Sequence, residues 1–430
     1  MTETLSVRTK PLTTDTSHAS VLHIRNFRLL WIGEGISLLG DQFYLIALPW
    51  LVLQLTGNAL AVGTILATAG IPRALFMLLG GVMTDRLTPR KLMIFSNLAR
   101  MILTGLLAGL VLTGFIQTWM LYVFALIFGL ADAFFFPAQT SIVPQLVNKD
   151  QLQAGNALVQ GMAMVSVFIG PILAGALISR LDGGTIQSTF GIALAFALDA
   201  LSFLVSISML SLMKIEELVD ALEKTGGGIF AAVREGLLYV WKDNTLKIVF
   251  SLIAAINILI VGPMYVGIPV IAKIRFAEGA AAYGLIMSAF GGGSLAGIAL
   301  AGMLPKPSPK RLGTVLLCVI SLMGIALAII GLAPSTLIAA LASFVMGAAN
   351  GYNNIMLITW LQKRIESTLT GRIMSLVMFA AVGLNPISTA LAGAFIGINA
   401  TVLLVIAGSL MTILTLSAAF SPAIRNLGME

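Results

Sequence analysis

Two carboxylates stand inside a stretch of the chain that is otherwise apolar. Glu34 and Asp41 lie within residues 31–53, which read WIGEGISLLGDQFYLIALPWLVL. This stretch is long enough to cross a bilayer, which takes about 20 residues. Because the two acids are seven residues apart, a helix places them on one face. An ionised acid at the bilayer centre costs about 2.5–3.5 kcal/mol on insertion scales, so this face is predicted to meet water. Small residues beside the acids are predicted to leave room for it: Gly33, Ser37 and Gly40.

Interior charges are confined to the first half of the chain. The remaining acids are Asp132 and Asp199, and two arginines, Arg73 and Arg100, also lie within apolar runs. The apolar runs of the second half hold no interior acid. Their interior polar residues are amides instead: Asn257, Asn350, Asn353 and Asn354.

Acids in such a setting are suited to carrying protons. Burial disfavours the charged form of a carboxyl group and a second acid on the same face disfavours it further, whereas contact with water reverses both effects. A carboxyl group that faces each side of a membrane in turn can therefore take up a proton on one side and release it on the other. Asp41 is our first choice for this role and Glu34 the second. Asp199 fits a proton relay and a polar contact between helices equally well.

Structural ion pairs are the alternative interpretation of the same residues. Asp41 or Glu34 would pair with Arg73, which lies at a similar depth in the next apolar run. Asp132 and Arg100 also fall at comparable depths on neighbouring runs, and for these two residues we favour a structural pair.

The composition is that of a membrane protein with many spans. Of the 430 residues, 58% are hydrophobic and 10% are charged, whereas soluble domains carry about 25% charged residues. Because the net charge of +7 is not clustered on a soluble face, we expect no nucleic-acid partner. No metal cluster or nucleophile–base set is visible, so we expect neither an enzyme nor a cofactor. We predict twelve helices that cross the membrane, near residues 28–53, 60–83, 92–114, 119–142, 156–180, 190–212, 247–271, 282–304, 312–332, 336–361, 373–397 and 400–421.

Basic residues predict the orientation. They precede the first span and follow the second, fourth, eighth and tenth, whereas the opposite loops are short and nearly uncharged. Only Arg180, Lys273 and Arg275 break this pattern. Because Lys and Arg concentrate on the cytoplasmic side, we expect both termini in the cytoplasm and the spans in the cell membrane.

A polar connection divides the spans into two sets of six. Residues 213–246 combine mixed charges with three consecutive glycines, which is typical of a solvated linker. A weak repeat supports the division, since GLAD at 129–132 recurs as GAAN at 347–350. Two similar halves around a midplane site are common in transporters. We expect five segments: a tail at 1–27, a bundle at 28–212, the linker at 213–246, a second bundle at 247–421 and a tail at 422–430.

The end of the second predicted span carries a loop motif that reads GVMTDRLTPRK over residues 81–91. It resembles the loop signature of the major facilitator superfamily, which has a glycine, three residues, an aspartate, an arginine and then a basic pair. A threonine and a proline displace the basic pair by one position here. The resemblance implies a gating role for Gly81, Asp85, Arg86 and Arg90.

A second motif lies in the fifth predicted span. Gly161 is followed after eight residues by Gly170 and Pro171, and then by Gly175. The pattern is similar to the antiporter signature of drug exporters in the same superfamily, with an alanine replacing one glycine. Proline kinks a helix and small residues let helices approach closely. Further stretches are similar to the macrolide-efflux and siderophore-exporter-like branch: residues 26–31, 37–41, 136–146 and 198–203.

The resemblance implies an all-α carrier with twelve helices in two pseudo-symmetric bundles, which works by alternating access. Spans one, four, seven and ten would surround a cavity, and the four amides of the second half would face it. We therefore expect the first bundle to bind protons and the second to offer neutral hydrogen-bonding groups to a small-molecule substrate.

Our leading hypothesis is secondary active export of amphipathic molecules, multidrug or macrolide-like, in exchange for protons. The protein would act as a monomer in the lipid bilayer. A lysophospholipid or siderophore transporter of the same fold is the alternative. A receptor or scaffold that transports nothing is disfavoured, because the short loops leave little surface for a partner.

Overall fold

The structure, a computed structural model, describes residues 21–84, 88–182, 189–214, 240–241, 243–305, 307–364, 377, 383–396 and 399–421. Within these ranges the chain forms helices and no β-strand. Ten of the helices described there are long and apolar enough to cross a membrane. Most of the predicted linker lies outside these ranges, so the domain boundaries stay a prediction.

Six long helices form the N-terminal bundle. They are α1 (Arg25–Thr56), α2 (Ala59–Thr84), α3 (Pro89–Leu112), α4 (Thr118–Leu146), α5 (Leu152–Leu181) and α6 (Phe190–Leu212), with a 3₁₀ turn at Lys149–Gln151. Local sequence sets two of the ends. Pro89 opens α3 at a position where its missing N–H is not needed. Gly57 ends α1 with a φ of 61° and donates its N–H to the carbonyl of Leu53.

The C-terminal bundle follows the same plan. Its helices are α7 (Asn244–Arg275), α8 (Ala280–Met303), α9 (Pro309–Leu332), α10 (Thr336–Arg364), α11 (Asn385–Ile396) and α12 (Ala400–Ala418). A π-helical turn at Asn257–Val261 interrupts α7. The described helices lie where spans were predicted, although α1, α3, α5, α7 and α9 begin three or four residues earlier than expected. Much of the first part of the eleventh predicted span lies outside the described residues.

The two bundles repeat one another in packing and in helix length. In the first bundle α4 packs against α2 and α3, and α6 packs against α1 and α3. The second bundle has the same contacts six helices later, with α10 against α8 and α9, and α12 against α7 and α9. Three helix pairs match in length: α1 and α7 have 32 residues each, α3 and α9 have 24, and α4 and α10 have 29. The halves are therefore structural copies.

The apolar core is shared at one end of the molecule and divided at the other. Where α1 and α7 finish, a single cluster contains Leu51 of α1 and Ile271 of α7. At the opposite end the described apolar residues form two separate clusters, one around Phe27 and one around Leu246. We name these the closed end and the open end. Near the open end, Gly161 of α5 borders open space.

Two seams of small residues join the bundles in the half of the molecule that contains the closed end. The backbone of Gly63 on α2 lies against Gly393 on α11, and Gly175 on α5 lies against Gly284 on α8. Because glycine has no Cβ, the helix backbones meet directly at these points. Lys273 completes the contact by donating a hydrogen bond to the last turn of α1, at the carbonyl of Leu53.

At the open end, an ion pair fastens the start of α7 to the end of α10. Asp243 Oδ1 caps α7 by accepting hydrogen bonds of 2.8 and 3.2 Å from the backbone of Thr245 and Leu246. Its Oδ2 lies 2.8 Å from Nη2 of Arg364. Burial acts to raise the pKa of Asp243, but the hydrogen bonds and the Arg364 charge outweigh it and lower the pKa below its ordinary value.

We predict that Asp243→Asn lowers stability at neutral pH by about 0.5–1 kcal/mol, the scale of a partly exposed ion pair. Asparagine keeps the helix cap and removes the charge. Because the folded state lowers the pKa of Asp243, the charge stabilises the protein fully above the ordinary aspartate pKa. This stabilisation is lost as the pH falls through the lowered pKa of Asp243. Thermal unfolding of both proteins across acidic pH checks this, and a stability difference that grows on acidification would contradict it.

Candidate functional site

Arg100 of α3 is the centre of a charged network inside the N-terminal bundle. Its side chain is 2% exposed. The guanidinium carbon lies 4.0 Å from the ring centroid of Phe135 on α4 and 4.6 Å from that of Phe203 on α6. Nη2 donates a hydrogen bond to Oδ1 of Asn97 one turn earlier on α3. Two aromatic faces and an amide therefore hold the cation in place.

Two aspartates from different helices approach this cation. Nη1 of Arg100 lies 3.8 Å from Oδ1 of Asp41 on α1 and 3.5 Å from Oδ1 of Asp132 on α4. Asp132 also forms an ion pair with Arg73 on α2. The side chains of Asp41, Asp132 and Arg73 are 25%, 19% and 42% exposed. The network thus links α1 to α4 and reaches open space on one side.

Glu34 lies on the same helix as Asp41 and contacts α4 by a different route. It is buried, and its Oε2 accepts a hydrogen bond of 2.6 Å from Nε2 of Gln139. Its Oε1 is buried without a hydrogen-bond partner. Both acids of α1 therefore point into the bundle, as their shared face predicts.

Asp199 of α6 is fully buried, and neither of its carboxyl oxygens has a hydrogen-bond partner. The carboxyl group lies beside the backbone of Gly40 on α1, immediately before Asp41 in the chain. The neighbouring Ser202 directs its hydroxyl to the Asp199 backbone carbonyl at 2.7 Å, not to the carboxyl group. Burial of an ionised carboxyl group without a partner is far more costly than burial of a neutral one.

The pairings differ from one of the sequence expectations. The structural alternative placed Arg73 with Asp41 or Glu34, and this is wrong, because the acid that Arg73 contacts is Asp132. The expected approach of Arg100 to Asp132 is present, and Arg100 also approaches Asp41. Depth in the membrane was the only guide to pairing, and it does not tell which face of a helix a side chain occupies.

Two small residues of α1 are packing contacts, where sequence analysis expected room for water. Gly33 lies against Met209 of α6, and Gly40 lies against Ser202 of the same helix. That expectation is wrong because glycines also serve to bring helix backbones together. Sequence reasoning missed Gln139, although it lies seven residues after Asp132 and so shares its helix face.

The four amides of the C-terminal bundle differ in burial. Asn257 is buried in the π-helical turn and donates to the Ile253 carbonyl at 2.9 Å. On α10, Asn353 is buried, Asn350 is half-buried and Asn354 is exposed. Consecutive residues of a helix point about 100° apart, so Asn353 and Asn354 point in different directions. That all four amides line one cavity stays a prediction.

The loop motif is described in part. Arg90 donates hydrogen bonds of 2.7 Å to the carbonyls of Leu210 and Ser211, at the C-terminal end of α6. A cation at this position complements the helix dipole. Gly81 falls within α2, and Asp85 and Arg86 lie outside the described residues.

The antiporter-like motif spans the α5 surface that meets α1 and α8. Gly170 lies against the side chain of Gln42 on α1. Pro171 and Gly175 both contact Gly284 on α8, whereas Gly161 borders open space. Three of the four motif residues are thus packing positions, and two of these belong to a seam between the bundles.

Comparison with known proteins identifies the family. Residues 30–389 match the family model of the Major Facilitator Superfamily. The chain belongs to this superfamily. It is 23% identical over 409 residues to macrolide efflux protein A of Streptococcus pyogenes, which covers 94% of this chain and 98% of that protein. It is 26% identical over 411 residues to the multidrug efflux pump Tap of Mycolicibacterium fortuitum, with coverage of 91% and 94%.

Solved structures of other transporters share the fold. A crystal structure of nucleoside transporter NupG has a TM-score of 0.69 at 14% identity and covers 91% of this chain and 98% of that chain. A bacterial metal transporter has a TM-score of 0.61 at 17% identity, with coverage of 92% and 99%. The predicted family, the all-α fold and the multi-pass membrane character are therefore confirmed.

We predict that Arg100→Met destabilises the protein far more than Arg73→Met. Removal of a buried cation leaves unpaired acids and costs about 3 kcal/mol or more. Arg73 is well exposed, and loss of such a partner costs about 0–1 kcal/mol. Thermal unfolding of the purified variants in one detergent compares them. Equal decreases in melting temperature would contradict a buried, fixed role for Arg100.

Proposed function

We propose that this transporter exports amphipathic small molecules across the cell membrane in exchange for protons. The similarity to macrolide efflux protein A and to Tap extends over nearly the full length of all three chains, which supports efflux of this class of molecule. A single chain supplies both bundles, which is consistent with action as a monomer.

The observation that carries proton coupling is the charge balance of the N-terminal network. Glu34, Asp41, Asp132 and Asp199 surround only two arginines. If all six groups were ionised, two negative charges would lack a counterion in low-dielectric surroundings, where such charges are very costly. Bound protons supply the missing positive charge. We assign one of them to Asp199, because its carboxyl group is buried without any partner.

Asp41 is the group that we assign to proton exchange with the aqueous space. Its side chain is partly exposed, and it lies 3.8 Å from Arg100, which stabilises its ionised form when the proton leaves. When Asp41 is protonated, Arg100 still has Asp132 as a partner at 3.5 Å. A protonation step at Asp41 thus leaves the buried cation paired.

The two seams support alternating access as the mode of transport. The basic loops predict that both termini are cytoplasmic, which makes the open end the cytoplasmic one. In this state Asp41 releases its proton and the substrate enters from the cytoplasm or the inner leaflet. In the opposite state the contacts of Gly63 with Gly393 and of Gly175 with Gly284 separate. The network then meets the outer side, where a proton binds and the substrate leaves.

We predict that everted membrane vesicles accumulate a fluorescent amphipathic drug only when their interior is acidic. Asp41→Asn removes the exchangeable proton, so gradient-driven uptake falls to the level of vesicles that lack the protein. Drug exchange at equal drug concentration on both sides continues in this variant, because it needs no proton movement.

The matched control is Asp150→Asn, which removes an exposed acid of the 3₁₀ turn outside the network. We expect the Asp150→Asn variant to retain full drug uptake. Drug uptake that does not depend on the pH gradient, or normal gradient-driven uptake by Asp41→Asn, would rule out proton coupling at Asp41. Translocation of lysophospholipid without drug uptake would show that the substrate is a lipid.

A further inference from the structure

A narrow pocket lies inside the C-terminal bundle between α7, α9 and α10. Its cavity volume is about 20 Å³, which is room for roughly one small group. The walls are aliphatic, with Ile253 of α7 and Ile320 of α9 among them, and no charged side chain lines the pocket. The single polar wall residue is Asn353 of α10, which is 6% exposed. Its Oδ1 is buried without a hydrogen-bond partner.

The pocket occupies the same place in its bundle as the charged network does in the other. The matched lengths of α1 and α7, α3 and α9, and α4 and α10 allow residues to be paired by position from the helix start. Five pocket residues then occupy positions equivalent to those of residues in the charged network or in direct contact with it. The pairs, pocket residue first, are Ile320 with Arg100, Leu317 with Asn97, Ile253 with Glu34, Leu357 with Gln139, and Asn353 with Phe135.

This correspondence accounts for the pocket in the C-terminal bundle. In the N-terminal bundle, Phe135 covers the Arg100 guanidinium and fills the space between the helices. In the C-terminal bundle the equivalent residues are an asparagine and an isoleucine, which are both smaller. The helices keep the same packing partners in both halves, so the lost side-chain volume remains as a cavity. The position that holds charged side chains in the N-terminal bundle is an apolar space in the C-terminal bundle, and its hydrogen-bond acceptor is Oδ1 of Asn353.

The chemistry of the walls defines what this space accepts. An amide oxygen only accepts hydrogen bonds, so it needs a donor. Aliphatic walls penalise any charged group. The Asp243–Arg364 ion pair of this bundle lies at the helix ends, and neither residue lines the pocket. A small neutral group with an O–H attached to an apolar body meets both requirements.

We propose that this pocket is a subsite for an aliphatic hydroxyl group of the transported molecule, which donates its hydrogen bond to Oδ1 of Asn353. The inference rests on the proposed function, since it concerns part of an exported substrate. It assigns the two bundles different tasks: protons bind in the N-terminal bundle, and the equivalent position of the C-terminal bundle recognises a neutral substrate group.

Photolabelling tests the pocket without any transport step. The probe is an eight-carbon alcohol with a diazirine on the carbon next to the hydroxyl-bearing one, added to the purified full-length protein in lipid nanodiscs. Tandem mass spectrometry locates the adducts. We expect adducts on pocket residues such as Ile253 and Leu357, and protection by excess octanol. A probe of the same length without the hydroxyl group should label these positions less.

Asn353→Leu keeps the side-chain size and removes the acceptor, so we expect labelling of the pocket to fall about fivefold, the value of one neutral hydrogen bond. The matched control is Asn354→Leu, the same change at the adjacent exposed position, which leaves labelling unchanged. If Asn353→Leu fails to fold, Leu357→Phe fills the pocket with Asn353 intact and should abolish labelling.

Equal labelling of the wild type and Asn353→Leu would overturn the proposal. Adducts confined to lipid-facing side chains would also overturn it, because they would mean that the alcohol does not enter the pocket. The outcome is separable from that of the vesicle assay. Pocket labelling without proton-driven export would support the subsite and count against the proposed function, and the reverse result would count against the subsite alone.

Discussion

The N-terminal bundle depends on one fixed positive charge in apolar surroundings. Arg100 on α3 is held between rings from α4 and α6, and it faces aspartates from α1 and α4. Four helices thus meet at a single guanidinium group. A buried cation of this kind requires acids nearby, and the acids in turn require either a counterion or a proton. Under the proposed function, the position of Arg100 therefore sets which acids bind protons in this bundle.

The C-terminal bundle shows what the same arrangement of helices does without that charge. Its packing repeats that of the first half, helix by helix. At the place that corresponds to Arg100 it has Ile320, and aliphatic side chains stand at the places of Asn97, Glu34 and Gln139, whereas Asp132 corresponds to Asn350. A duplicated scaffold can thus hold two different environments at equivalent positions. One environment suits ions, and the other suits neutral amphipathic groups.

The fold could be predicted from the sequence because it depends on the average composition of long stretches of the chain. Apolar runs give the spans, basic loops give their expected orientation, and a charged linker predicts the division into two halves. The interior acids were also recognisable, because Glu34 and Asp41 are conspicuous in an apolar helix. Each of these signals needs only the order of residues along one helix.

The details of the site needed relations between helices. The structural alternative paired Arg73 with Asp41 or Glu34, but Arg73 contacts Asp132, because depth alone does not fix the direction of a side chain. Gly40 was expected to admit water and instead lets α6 bring Asp199 close to Asp41. The pocket at Asn353 was not predicted at all. It follows from a difference in side-chain volume between two copies, which becomes visible only when equivalent helices are compared.

Infrared spectroscopy of the purified protein tests the central claim most directly, because the carbonyl stretch of a protonated carboxyl group is distinct from that of a carboxylate. If protons balance the network, the wild-type protein shows a protonated carboxyl band at neutral pH. Asp199→Asn should lower the intensity of that band by the share that belongs to Asp199, and Asp150→Asn should leave the intensity unchanged. Absence of the band from the wild-type protein, or an undiminished band in Asp199→Asn, would contradict the claim that Asp199 holds a proton.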